Sequence, residues 1–171
     1  MDFFEKVGAL GLGSRLKRLS DIYLSDVREL YEESGIKFEP KWFPVFVLLL
    51  ERKQITITEA AELLNLTHPH VSLYAKEMNQ AKLSCFIDNP DDGRSRLLTL
   101  TRNGRTTAQQ LQPMWTRIDK AVKEILKETE PDFLLILKKM ETALTRASLR
   151  QRVSKNNRIP KSKTFTEVNP T

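Results

Sequence analysis

Two short helix patterns with almost no chain between them place the tightest constraint on the fold. The segments "EAAELL" (residues 59–64) and "HPHVSLYAKEMNQA" (residues 68–81) carry apolar residues at helical spacing. Thr58 and Thr67 can cap their amino ends, and Asn65 can take the left-handed conformation that ends the first helix. The expected buried faces are Ala60, Ala61, Leu63 and Leu64, and then Val71, Ala75 and Met78. This spacing predicts a helix-turn-helix.

A β-hairpin is predicted directly after these helices. The segments "LSCFID" and "RSRLLTLT" read as two strands, and the loop between them contains Gly93. Acidic and basic side chains face each other across that glycine, with Asp92 before it and Arg94 after it. Two interpretations are open at this point. The hairpin is either a solvated surface turn with a weak ion pair or a projection that contacts an acidic partner.

Longer helix patterns surround this central unit. Residues 3 to about 33 form an amphipathic pattern that glycines interrupt near its start. Residues 40–52 are apolar nearly all round, and we expect Trp42, Phe43, Phe46 and Leu49 to be buried. A third helix is expected over residues 102–128, with a kink at Pro113, and a fourth opens at Pro131. The predicted fold class is therefore mainly α with a small two-stranded β-wing.

The basic charge of the chain is concentrated at its carboxyl end. Residues 150–171 contain six basic residues and one acidic residue, whereas the whole chain has a net charge of +6. Residues 1–149 are thus almost neutral, and binding to nucleic acid would need locally placed cations. Because the helical pattern disappears after Arg150, residues 150–171 are interpreted as a flexible basic tail. Residues 1–149 are interpreted as a single domain.

Several features favour a cytoplasmic location. No apolar run approaches the roughly 20 residues that a membrane span needs, and the first residues lack a signal-peptide pattern. The single cysteine, Cys85, cannot form an internal disulfide.

Residues 55–104 resemble the MarR family of winged helix-turn-helix transcription regulators. The resemblance is strongest in Asp91-Asp92-Gly93-Arg94, in Leu98-Thr99-Leu100-Thr101 and in Gly104, and extends loosely over residues 1–149. The segments "MDFFEKVGALGLGSRLKRLSD" and "KWFPVF" look like a subgroup sometimes fused to a GNAT-type acetyltransferase, an enzyme that the residues after the last helix are too few to form. One position departs from the family, because Lys82 stands where it usually has glycine.

The resemblance implies a homodimer joined by its N- and C-terminal helices, with residues 55–104 as the DNA-binding core. It also implies sequence-specific binding to near-palindromic operators, with repression of transcription and response to a small-molecule effector. The competing interpretation is a winged-helix module that binds a protein and does not bind specific DNA. The nearly neutral charge of residues 1–149 leaves that alternative open.

Candidate DNA-binding residues lie on the second helix and in the hairpin. On the helix, residues near the amino end normally meet base edges or phosphates, and the candidates are Thr67, His68, His70, Ser72, Leu73 and Lys76. In the hairpin, Arg94 is suited to a narrow minor groove, and Asp92 can bond its guanidinium or nearby backbone. Arg96 is expected to reach a phosphate. Each helix residue could equally belong to an ordinary solvated face.

An effector pocket is a further candidate site. A group of aromatic residues recurs between residues 23 and 46, namely Tyr23, Tyr31, Phe38, Trp42, Phe43 and Phe46. Such groups are more often core than ligand site. The family resemblance nevertheless makes Tyr23, Trp42 and Phe46 candidates for a pocket between the dimer helices and the winged domain.

Other chemistries find little support in the residues. His68 and His70 diverge on a helix and have no ligand cluster around them, so no metal is expected. A calcium loop counted from Asp88 would put threonine where a bidentate glutamate is required. A dinucleotide loop is rejected because Gly11-x-Gly13 lacks a preceding strand. Cys85 could sense redox state, but burial in a strand explains it as well. We therefore predict no catalytic residues, no enzymatic activity and no cofactor.

Overall fold

The computed structural model describes residues 2–155, and most of them are helical. The helices are α1 (Phe3–Val7), α2 (Leu12–Glu33), α3 (Phe43–Arg52), α4 (Ile57–Leu64), α5 (His68–Gln80), α6 (Arg102–Glu128), α7 (Phe133–Arg146) and α8 (Leu149–Lys155). Two 3₁₀ turns, Gly8–Gly11 and Pro40–Trp42, precede α2 and α3. The strands are β1 (Gln54–Thr56), β2 (Ser84–Asp88) and β3 (Arg96–Leu100). The mainly helical fold class is confirmed.

The sheet has three strands where the sequence predicted two. Its order is β1-β3-β2, and both pairings are antiparallel. In the additional pairing, Ile55 lies opposite Leu98. Because β1 contains only three residues, its alternation is too short to distinguish a strand from a loop. The strand exists because β3 supplies its partner. The winged helix-turn-helix architecture is otherwise the one expected.

Helix starts and ends follow the local sequence with one exception. Asn65 ends α4 in the left-handed conformation, with a φ of 50°, and Thr67 caps α5, both as predicted. The cap of α4 is Thr56 and not Thr58. Thr56 accepts from the backbone N–H of Glu59 at 3.2 Å, and its own N–H donates to the Glu59 carboxylate at 2.9 Å. This reciprocal capping box stabilises the first turn, and its backbone bond lowers the pKa of Glu59.

The chain divides into two compact units at Asp119. In the first unit, one core joins the helix-turn-helix to α3, the sheet and the first part of α6. Val71, Ala75 and Met78 are fully buried there, as predicted. Two residues that the sequence placed in the core are exposed instead, Leu63 of α4 with 56% of its surface and Phe43 with 41%. Phe43 packs edge-to-face against Trp115 at the surface of the aromatic cluster.

The second unit comprises Lys120 onward. Neither α7 nor α8 contains a buried residue, and several large apolar side chains of this unit are exposed: Ile125, Leu134, Leu135, Ile136, Leu144, Leu149 and Val153. Residues 150–155 lie in α8, so the first six residues of the expected tail are helical. The rest of that tail, residues 156–171, lies outside the described residues.

Two general features of residues 2–155 bear on function. No helix among them is both long and apolar enough to cross a membrane. No group of three or more His, Cys, Asp or Glu side chains among them could hold a metal ion.

We predict that Gly104→Ala destabilises the first unit by about 1–3 kcal/mol or more. A Cβ there would lie 2.0 Å from the carbonyl oxygen of Leu83, so the backbone would have to shift. Gly13→Ala is the matched control, since a Cβ at that position would have no other atom within 4 Å. That change should stabilise α2 by up to about 1 kcal/mol. Urea unfolding of both variants checks the contrast, and equal stabilities would contradict it.

Candidate nucleic-acid interface

Helix α5 presents a polar face because its apolar side is committed to the core. Val71, Ala75 and Met78 recur at helical spacing and are fully buried. The five helix residues that the sequence singled out are all exposed: His68, His70, Ser72, Leu73 and Lys76. The structure therefore leaves every one of these candidates accessible. Leu73 is apolar and 48% exposed, which suits contact with a thymine methyl group.

The amino end of α5 is held by Thr67. Its hydroxyl accepts from the backbone N–H of His70 at 3.4 Å and lies 3.1 Å from His70 Nδ1. The His70 ring stacks on Tyr74, with centroids 6.4 Å apart. The imidazole is thereby oriented on both sides. The first-turn N–H groups and positive helix end make this region suitable for a phosphate.

The carboxyl end of α5 turns through Lys82. This residue is left-handed, with a φ of 59°, so it takes the conformation that a glycine would adopt without a steric penalty. Leu83 N–H donates to Met78 O at 2.9 Å, which closes the helix end. The carbonyl of Lys82 accepts from the Thr101 hydroxyl at 2.7 Å. The departure from the family's glycine therefore leaves a tight turn in place.

The loop of the wing, defined as β2, β3 and residues 89–95, is closed by hydrogen bonds of its own. Asp92 Oδ1 accepts from the backbone N–H of Arg94 at 3.0 Å. Ser95 N–H donates to Asp92 O at 3.0 Å, and Asn89 Nδ2 donates to Ser95 Oγ at 2.8 Å. Of the two roles predicted for Asp92, the backbone bond is the one present. Within residues 2–155 the Arg94 guanidinium has no partner, and the side chain is exposed.

Arg96 is held more closely than Arg94. Its guanidinium donates to Phe86 O at 3.0 Å and lies over the Phe86 ring at 5.6 Å from the centroid. Asp88 lies 4.0 Å away, and 62% of the Arg96 side chain remains exposed. These contacts restrict its rotamers while leaving the charge accessible. Such a group suits a phosphate better than a base edge.

A groove of about 400 Å³ lies between the wing and the amino ends of α4 and α5. Its lining consists of Thr56, Ile57, Thr58, His68, Phe86, Arg94, Ser95 and Arg96. Among these described residues there are two arginines and no carboxylate. The groove therefore combines positive charge with hydroxyl donors, the composition expected where a nucleic-acid backbone lies. Thr56, Thr58 and Ser95 were not identified from the sequence.

The structure places the three candidate effector residues in different surroundings. Trp42 borders a cleft of about 470 Å³ together with Phe38, Arg28 and Lys37. Phe46 is fully buried in the core, and Tyr23 is 43% exposed on α2. The Phe46 ring packs edge-to-face against Phe38, with the ring centroids 4.9 Å apart. Protein side chains therefore fill the space beside Phe46. Burial raises the pKa of Tyr23.

One polar contact of α5 was not found from the sequence. Glu77 accepts from Lys41 Nζ at 2.8 Å and from Trp42 Nε1 at 2.6 Å. These two bonds, that from Lys41 first, hold the pKa of Glu77 below its usual range. The contact joins residues more than thirty positions apart, so no local pattern could have indicated it.

The comparisons with known proteins agree with this geometry. No protein-family model matches the sequence, and no curated protein matches it. A MarR/EmrR family transcriptional regulator from Acinetobacter sp. ADP1 is 18% identical, with 79% of this chain and 95% of that one covered, at a TM-score of 0.65. The chain has the fold of MarR-family regulators. The family fold that the sequence predicted is confirmed.

Two further solved structures share the MarR-family fold. The transcriptional repressor CouR, bound to a 23-mer DNA duplex, is 27% identical, with 79% of this chain and 96% of that one covered and a TM-score of 0.62. BpsR of Bordetella bronchiseptica, whose DNA binding is regulated by 6-hydroxynicotinic acid, is 20% identical, with 76% and 98% covered and a TM-score of 0.62. This chain therefore spans nearly the whole length of each.

The left-handed Lys82 gives a stability prediction. Lys82→Gly should stabilise the protein by up to about 1 kcal/mol, because a left-handed L-residue costs roughly 1–2 kcal/mol and glycine's unfolded-state entropy offsets part of the gain. Gln80→Gly, in right-handed helix two residues earlier, should instead destabilise by about 1 kcal/mol. Thermal unfolding that moves both variants in the same direction would argue against a strained turn.

Proposed function

We propose that the protein is a sequence-specific DNA-binding regulator that represses transcription at near-palindromic operators. The observation that carries this proposal is the groove between α5 and the wing, where Arg94, Arg96 and His68 meet without a carboxylate among the described lining residues. Although the first 149 residues are nearly neutral, the groove collects cations at one place on the surface.

In this proposal, α5 is the recognition helix and enters the major groove. His70, Ser72, Leu73 and Lys76 face the base edges, while Thr67 and His68 contact phosphates at the amino end. Arg94 enters the flanking minor groove, where the potential is most negative. The Asp92 bond to the Arg94 backbone shapes the loop before binding, which reduces the backbone entropy lost when the loop is ordered on DNA. Arg96 holds a phosphate.

We propose that the regulator acts as a homodimer in the cytoplasm. In the first unit, α2 exposes Leu12, Leu16, Leu19, Ile22 and Tyr23, and the second unit exposes the apolar residues named above. Exposed apolar surface of this extent is typical of a protein interface. A two-fold dimer would present two recognition helices about 34 Å apart, which requires a near-palindromic site.

A small-molecule effector would act through the dimer's shape. The cleft beside Trp42, lined by Phe38, Arg28 and Lys37, is the best-supported location for it, in place of a pocket formed jointly with Tyr23 and Phe46. Differential affinity for two dimer shapes would shift DNA binding. The finer resemblance, to regulators sometimes fused to acetyltransferases, remains part of the proposal and rests on the sequence of the first 46 residues alone.

We predict that Arg94→Ala weakens specific DNA binding by about 1–3 kcal/mol and leaves folding intact. The guanidinium has no partner among residues 2–155, so the fold loses no contact. Arg94→Lys is the matched control, because it keeps the charge and removes the planar group that suits a narrow groove. Fluorescence anisotropy with a selected duplex, at constant salt, measures both. Unchanged affinity of the alanine variant would eliminate the wing contact.

The operator sequence can be identified by selecting the duplexes that the protein binds from a random pool. A dimer that enriches a near-palindrome supports the proposed function. The second candidate, a protein-binding winged helix, is favoured by the nearly neutral charge of residues 1–149. It predicts no retention of any duplex, even at low salt.

The basic residues after α8 give a separate prediction. Residues 156–171 carry Arg158, Lys161 and Lys163 against Glu167. Deleting them should reduce the salt dependence of non-specific binding by roughly two released counterions, while the selected operator remains preferred. An unchanged slope of log affinity against log salt would show that this segment does not touch DNA.

A further inference from the structure

The contact between Glu77 and the second 3₁₀ turn reaches α5 from outside the helix-turn-helix. Glu77 lies on the half-buried flank of α5, next to the buried Met78. Its carboxylate accepts from Lys41 Nζ at 2.8 Å and from Trp42 Nε1 at 2.6 Å. Both donors belong to the turn Pro40–Trp42, which precedes α3. The carboxylate therefore bridges the recognition helix to a different part of the chain.

The two bonds differ in what they can contribute. The Lys41 side chain is 40% exposed, and an ion pair of this kind is worth little because water screens it. Trp42 is only 8% exposed, and its ring packs edge-to-face against Phe38 at 5.7 Å. Phe38 in turn contacts Tyr31 and Phe46 edge-to-face. The indole N–H is thus a fixed donor in a rigid aromatic cluster.

The bond from this donor constrains the orientation of α5 in a way that its apolar core contacts do not. Val71, Ala75 and Met78 bury the helix through apolar contacts, and these are non-directional. Apolar packing therefore specifies the rotation of a helix less strictly than a directional bond does. A charge-assisted hydrogen bond to a fixed donor has a strict geometry. It defines the rotation of α5 about its own axis, and with it the direction of His70, Ser72 and Lys76.

Trp42 also connects this bond to the cleft described above. The cleft is lined by Trp42 and by Ala81, which follows directly after α5. The tryptophan whose N–H holds Glu77 is therefore one of the residues that a group in the cleft would meet. The same side chain belongs to the core, to the cleft and to the contact with the recognition helix.

We propose that Glu77 is a positioning residue, which sets the orientation of the recognition helix through its bond to Trp42. This inference rests on the proposed DNA-binding function. The positioning role and simple electrostatics predict opposite effects on DNA affinity when Glu77 is removed. Removing a negative charge from α5 would strengthen attraction to DNA, whereas loss of a positioning contact weakens specific binding.

The experiment compares Glu77→Ala, Glu77→Gln, Trp42→Phe and the double variant Glu77→Ala/Trp42→Phe on the selected operator. Glu62→Ala is the matched control, since Glu62 is an exposed glutamate on α4 whose removal changes the net charge equally. Glu77→Ala and Trp42→Phe should each weaken specific binding roughly three- to tenfold, and the double variant should lose no more than one single variant. Glu77→Gln keeps an acceptor for the indole and should recover part of the loss. Glu62→Ala should bind equally or more tightly.

An NMR measurement tests the contact without DNA. The chain has two tryptophans, and Trp115 Nε1 donates to the Tyr31 hydroxyl at 3.0 Å. In ¹H–¹⁵N spectra, Glu77→Ala should therefore move the indole signal of Trp42 and leave that of Trp115 in place. The Trp115 signal also reports whether the aromatic cluster of each variant remains folded.

The outcomes separate the inference from the proposed function. The positioning role is supported if Glu77→Ala loses affinity, Glu77→Gln recovers part of it, and the double variant loses less than the sum of the two single variants. A Glu77→Ala variant that behaves like Glu62→Ala overturns it, as does an unmoved Trp42 signal. If the wild-type protein selects no duplex, the DNA-binding function fails, and the NMR result still decides whether the contact exists.

Discussion

The carbonyl oxygens of Lys82 and Leu83 form the joint on which the DNA-facing part of the molecule depends. Thr101 donates its hydroxyl to Lys82 O at 2.7 Å and its backbone N–H to Leu83 O at 3.0 Å. Gly104 lies so close to Leu83 O that only a residue without a Cβ fits. The end of α5, the base of the wing and the start of α6 are therefore fixed to one another. A left-handed Lys82 is the steric cost of this arrangement.

Local placement of charge accounts for the proposed function better than total charge does. Residues 1–149 are nearly neutral, so a general attraction to nucleic acid would be weak. Hydrogen bonds within the wing instead hold the backbone of Arg94 in place, and contacts with Phe86 restrict Arg96. The entropy of ordering the Arg94 backbone and the Arg96 side chain on a partner is thereby reduced. A rigid joint and a pre-shaped loop together make a small cationic surface specific.

The bonds that stabilise helix ends were foreseen where they depend on neighbouring residues. Thr67 and Asn65 needed only their own side chains and a few adjacent backbone groups. The cap of α4 was misplaced because Thr58 directly precedes the apolar pattern, although Thr56 and Glu59 have the spacing of a capping box. The choice fell to Thr56, whose partner Glu59 completes the capping box and whose backbone pairs with Leu97 of β3. Similarly, α8 has too few apolar residues for its pattern to be distinguished from a tail.

Some residues of the candidate site could be predicted from the sequence, and others are evident only in the folded structure. Arg94, Asp92 and the outer residues of α5 could be named because a short motif and a helical period place them. The sequence by itself determined the helix-turn-helix, the wing and the face of α5 that is free, since apolar spacing and turn residues act over a few positions. Only the tertiary structure decided that Trp42 borders a cleft while Phe46 fills the core, and that Glu77 meets Trp42. Those outcomes depend on contacts between distant segments, and such contacts form only when the whole core packs.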